Sequence, residues 1–67
     1  MTNTKELKSK IHDSGFKISF LADKCGLSRN GLSLKINGKY EFNAVEIKTL
    51  KELLDLTPEE VDYLFLN

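Results

Sequence analysis

The stretch at residues 18–38, ISFLADKCGLSRNGLSLKING, decides how the chain is read. Leu21, Ala22 and Cys25 fall on one face of a helix that starts near Ile18, with Ser19 at its beginning. Ala22 is small enough to let a second helix cross closely. Gly26 stands where the chain needs a positive φ at low cost, and Leu27 supplies the apolar contact that accompanies such a helix end. Ser28 then caps a second helix running from 29 to about 37, with Leu32 and Ile36 as an i, i+4 apolar pair and Gly38 as its stop. Two short helices joined by a four-residue corner result.

At about 100° per residue, turning Leu32 and Ile36 inward places Asn30, Ser33, Leu34 and Asn37 on the opposite side, with Arg29 and Lys35 on the flanks. That outer side is polar and poor in acids. Arg29 and Asn30, which can give paired hydrogen bonds to base edges, stand at the N-terminal end of the helix, the end that enters a major groove in helix-turn-helix units. Leu34 has two readings. It lies against a thymine methyl, or it belongs to the core and the helix is rotated to expose Lys35 further.

The rest of the chain reads as support. Asn3-Thr4-Lys5-Glu6 begins a first helix, with Asn3 as N-cap and Glu6 reaching back, or with Thr4 as the cap instead. Leu7 and Ile11 form its narrow apolar stripe, Gly15 ends it, and Phe16 is expected to plug into the core. Asn43 and Glu46 make a capping box between the staple residues Phe42 and Ile47, opening a helix to about Asp55 striped by Ile47, Leu50, Leu53 and Leu54. Thr57, Pro58 and Glu60, with Leu56 and Val61, repeat the device and open a last helix. Val61, Leu64 and Phe65 are expected inside it, while Tyr63 and Leu66 have no assigned home. The expected fold is all-α, a compact five-helix bundle forming one domain over 1–67.

Composition bounds what this domain can be. A chain of 67 residues buries only about 60% of the surface its unfolded form exposes, so its stability margin is thin. Leu, Ile, Val and Phe supply 21 of the 67 residues, enough to fold. The net charge of zero hides a split: residues 1–39 carry eight Lys/Arg against Glu6, Asp13 and Asp23, a net +5, and residues 40–67 carry a net −5. A basic half approaches phosphates while an acidic half stays away, although such blocks are also common solvated faces. With Cys25 as the sole cysteine, no leader and no apolar run near ~18 residues, the expected setting is the reducing cytoplasm. His12 has no Cys or second His near it, so no metal is expected, and no cofactor motif is present.

These residues resemble the Cro/repressor-type helix-turn-helix proteins, also called the XRE family, and among them the very small phage regulators of Gram-positive bacteria. The matching pattern is Ala22, Gly26, Leu27, Ser28, Leu32 and Gly38, and the five-helix layout extends the likeness over nearly the whole chain. It implies a lambda-repressor-like DNA-binding domain that occupies a double-stranded DNA operator in a bacterial or phage-infected cell. Carried over by position, base reading falls on Arg29, Asn30, Ser33 and Leu34. Backbone contact falls on Lys17, Ser19, Ser28, Lys35, Asn37, Lys39 and Tyr40. Two departures stand out: Ile18 replaces the Gln that often binds a phosphate, and Lys35 replaces an apolar residue that is usually buried.

One recognition helix reads few base pairs, so the resemblance also implies a homodimer on a pseudo-palindromic site. Either the end of the last helix or the 39–42 loop would supply the contact. The alternative is an antirepressor or antitoxin-like module that binds a protein partner through the acidic C-terminal half. An enzyme is the poorest reading, because no acid pair sits beside a His, no glycine loop cradles a phosphate, and Cys25 occupies a core position.

Overall fold

The computed structural model describes residues 1–66, among which the order is α1 (Thr4–Ser14), α2 (Ile18–Cys25), α3 (Arg29–Ile36), α4 (Ala44–Leu53) and α5 (Pro58–Val61), the last running on into a π-helical turn at Asp62–Leu66. Four of the five helix starts follow from a local side chain. Asn3, Ser28, Asn43 and Thr57 accept the N3 backbone N–H of α1, α3, α4 and α5, and the last two close reciprocal boxes with Glu46 and Glu60. The box expected at α1 forms only by half. Asn3 donates its backbone N–H to the Leu64 carbonyl at 2.7 Å, so Glu6 has nothing there to accept, and the chain start is tied to the π-helical turn.

The helix ends are equally local. After α2, Gly26 at φ 71° lets its own N–H reach the Asp23 carbonyl while Leu27 N–H reaches Ala22. The same pair of bonds follows α4, where Leu56 N–H reaches Lys51 and the left-handed position is held by Asp55 at φ 53°. Asp is tolerated in that region better than most residues, at a cost glycine avoids.

Leu7, Leu21, Leu32, Leu50 and Leu64 are the largest fully buried side chains, one each from α1, α2, α3, α4 and the π-helical turn. All five lie in one core cluster, which continues through Ile11, Ala22, Ile36, Leu56 and an edge-on pair, Phe42 and Phe65, whose ring centroids are 5.2 Å apart. α2 packs against both α3 and α4, and Ala22, almost fully buried, keeps that crossing close. Lys10 of α1 pairs with Glu60 of α5. The hydrogen bond from Lys10, and then the Thr57 N–H, hold the Glu60 carboxyl below its usual range.

Two expectations are corrected. Phe16 does not plug into the core: it is 38% exposed and stacks on Phe20, itself 39% exposed, at 5.0 Å between centroids. Lys35, expected on a flank of α3 and among the DNA-backbone contacts, is turned toward α4. Its side chain is only 18% exposed and its Nζ lies 2.6 Å from Oε1 of Glu46, whose side chain is 6% exposed. Tyr63 and Leu66 lie on the surface, at 50% and 63% exposure.

Candidate nucleic-acid interface

The outer side of α3 is built by what its inner side buries. With Leu32 and Ile36 in the core, Arg29 and Asn30 stand exposed in the first turn, and neither side chain makes an intramolecular hydrogen bond or ion pair among the described residues. Ser33 follows one turn on, half-buried. These three side chains and Ile18 line a shallow recess between α3 and the start of α2, with no acid among its lining residues. Arg29 and Asn30 are fully available to a ligand because folding has given them no other partner, whereas Ser33 Oγ accepts a hydrogen bond from Asn37 Nδ2 at 3.4 Å.

Ser28 Oγ accepts the Gly31 N–H at 2.9 Å as the α3 cap, which leaves its hydroxyl proton free to point outward. A Cβ at Gly31 would stand 3.1 Å from that Oγ, so the glycine gives the cap its room. Lys17, Ser19, Lys39 and Tyr40 are all exposed. Asn37 is exposed too, but its Nδ2 donates to the Ser33 carbonyl at 2.8 Å, which turns the amide toward its own helix. Leu34 is half-buried, between the two readings its position allowed.

α2 starts differently from the other four helices. Its N-cap is Lys17, whose side chain makes no capping bond, so the first-turn N–H groups have no side-chain acceptor. Lys17 and Ser19 flank that uncapped end. Positive partial charge, a free ammonium and a hydroxyl there are the elements of an anion site.

Lys35, grouped with the backbone contacts, has its ammonium already paired with Glu46 in the structure. The position three residues after Leu32 faces α4, where an apolar residue would be buried, and Lys35 fills it with its methylenes while Glu46 takes the charge. Burial by itself would push the Glu46 carboxyl up, but the Lys35 hydrogen bond and the Asn43 N–H, at 3.0 Å, outweigh it and hold the group below its ordinary range. Close by, burial pushes the Cys25 thiol up, and the Glu46 carboxylate adds to that shift against the opposing Lys35 charge. A neutral, half-buried thiol packed against the core is chemically quiet.

Sequence reasoning missed the Lys35–Glu46 pair and the exposed Phe16–Phe20 pair. A signal existed for the first, since Lys35 interrupts the inward stripe of α3 and Glu46 is an acid in the first turn of the next helix. For the second, the i, i+4 spacing of Phe16 and Phe20 was the only sign.

No helix among the described residues is long and apolar enough to cross a membrane, and no group of three or more potential metal-binding side chains occurs among them. Neither a curated protein nor a solved structure matches the chain. Residues 6–62 match the family model described as the Cro/C1-type HTH DNA-binding domain, and with α2 and α3 forming its helix-turn-helix the chain belongs to that family.

Proposed function

We propose that this chain is a sequence-specific double-stranded DNA-binding transcriptional regulator of the Cro or repressor type, occupying an operator with α3 in the major groove. The observation that carries this reading is the unpaired Arg29 and Asn30 side by side on the first turn of α3, at the edge of an acid-free recess. Arg matches guanine O6/N7 and Asn matches adenine N6/N7, and a helix N-terminus is the part that reaches base edges. Ser33 and Leu34 extend the reading face one turn on, Leu34 through its exposed part.

Backbone contact in this reading comes from the uncapped start of α2 with Lys17 and Ser19, the free proton of Ser28, the exposed Asn37, and Lys39 and Tyr40 in the following loop. These groups set register and give salt-dependent affinity, while the α3 side chains discriminate. The chain acts as a homodimer on DNA in the cytoplasm of a bacterium or phage-infected cell, and the exposed Tyr63 and Leu66 at the C-terminal end are the apolar surface that supports dimer formation.

The same two residues, on the acidic half, favour a second reading as an antirepressor or antitoxin-like protein-binding module. Selection of bound duplexes from a random pool separates the two. A symmetric motif with half-sites about one helical turn apart is expected; no interaction with any duplex at low salt leaves the protein-binding reading.

A further inference from the structure

An open cleft of about 470 Å³ runs between the C-terminal part of α1 and the start of α2. Ile11, Ile18 and Ile36 form its apolar floor, Phe16 its wall, and Lys8 and His12, one turn apart on α1, its rim. Phe20, stacked on Phe16, prolongs the apolar wall beyond the cleft, and the Lys24 ammonium lies 5.5 Å from the Phe20 ring centroid at that far end. No acid lines the cleft. Lys8 and Lys24 make no ion pair among the described residues.

We propose that this cleft is the docking site for an acidic amphipathic segment of a protein partner, and that its occupant excludes DNA. The form of the surface selects the ligand class. It is an open, largely apolar cleft continued by the Phe20 ring, which suits apolar side chains at helical i, i+3 or i+4 spacing better than an enclosed small molecule. Lys8 on its rim and Lys24 at its far end are both cationic, so a segment with Asp or Glu flanking those apolar anchors meets complementary potential, and a basic segment is repelled.

Exclusion follows from Ile18, which lines both this cleft and the recess of Arg29, Asn30 and Ser33. An acidic segment in the cleft stands beside the α2 start and carries its carboxylates to where phosphates would lie. This part rests on the DNA-binding reading, whereas the docking itself does not.

The test is a random 15-residue peptide library displayed on phage and selected on the intact chain, followed by titration of the enriched synthetic peptide. Expected are peptides with Leu, Ile or Phe at helical spacing flanked by Asp or Glu, each bound at least ten times more weakly by Phe16→Ser and by Lys8→Glu. Both residues are exposed and lie outside the proposed DNA contacts, so both variants fold and keep duplex binding. The peptide also displaces a labelled duplex from the wild-type chain.

Enriched peptides without that acidic-apolar pattern, or peptides insensitive to both variants, overturn the docking site. Concentration-dependent self-association lost in Phe16→Ser overturns the partner segment in favour of a second copy. Peptide and duplex bound together overturn exclusion alone, and a chain that binds peptide but no duplex overturns the DNA reading while docking stands.

Discussion

Lys35 Nζ and the Asn43 backbone N–H converge on a single oxygen, Oε1 of Glu46, at 2.6 and 3.0 Å, so that one carboxylate both closes the α4 capping box and neutralises the charge that α3 carries into the core. α3 is thereby joined to the start of α4 by a near-buried ion pair. Removing one partner strands the other away from water, which costs far more than the pair is worth against an apolar replacement. Lys35→Met is expected to lower stability by about 3 kcal/mol, a large fraction of the roughly 3–10 kcal/mol available to a domain this small. Combining it with Glu46→Gln, which still accepts the Asn43 N–H, recovers most of the loss. Urea unfolding of the two single variants and the double variant measures the coupling directly.

Acid should unfold the chain through the same group. The Glu46 carboxyl is held below its ordinary value of 4.5, and Glu60 is lowered as well. The native state therefore binds fewer protons than the unfolded state as pH drops past about 4.5. The stabilisation from these two groups is fully present above that pH and is lost as pH falls through their lower native values. Stability measured by urea titration from pH 6 to pH 3 is expected to decline, with a shallower slope in Glu46→Gln. An unchanged slope in that variant contradicts the assignment.

Asp55 occupies a left-handed position at the end of α4 with φ 53° and no β-carbon-free alternative. Asp55→Gly relieves that backbone cost and is expected to raise stability by roughly 0.5–1 kcal/mol, less than the full left-handed penalty because Gly also gains entropy when unfolded. Thermal unfolding of the variant checks the sign.

Cys25 packs against the core while its thiol is pushed above the usual range by burial first and the neighbouring Glu46 carboxylate second. Cys25→Ala is expected to cost stability by about 1 kcal/mol and to leave base preference as it is. Thiol modification at pH 7.5 should be slower than in the unfolded chain. A selective change in base preference would overturn the core placement.

Much of this fold was legible because its signals are local. A cap and its N3 N–H are three residues apart, so Ser28, Asn43 and Thr57 announce their helices in the sequence, and the left-handed glycines announce their ends. The inward leucines were legible from period alone. What escaped depends on contacts that no short window contains. Lys35 reads as an exposed flank until a carboxylate eleven residues away is brought to it, and the N–H that Glu6 was expected to accept goes to Leu64 at the other end of the chain. Phe16 reads as core by composition, yet the core is already closed by the five leucines, and the ring is left to stack on Phe20. On the candidate interface the helical wheel turned Asn30, Ser33, Leu34 and Asn37 outward, and of these Asn30 and Asn37 are exposed while Ser33 and Leu34 are half-buried. It could not show that Asn37 folds back onto Ser33 or that α2 begins without a side-chain cap.

In the proposed function the first turn of α3 reads bases while the surrounding cations hold the backbone. Asn30→Ala and Lys39→Ala, each measured against the selected duplex and a random duplex across a salt series, test it most directly. Asn30→Ala is expected to lose about 1–3 kcal/mol on the selected duplex with little change on the random one, whereas Lys39→Ala weakens both and lowers the salt slope by about one. Equal loss on selected and random DNA for Asn30→Ala would contradict the claim.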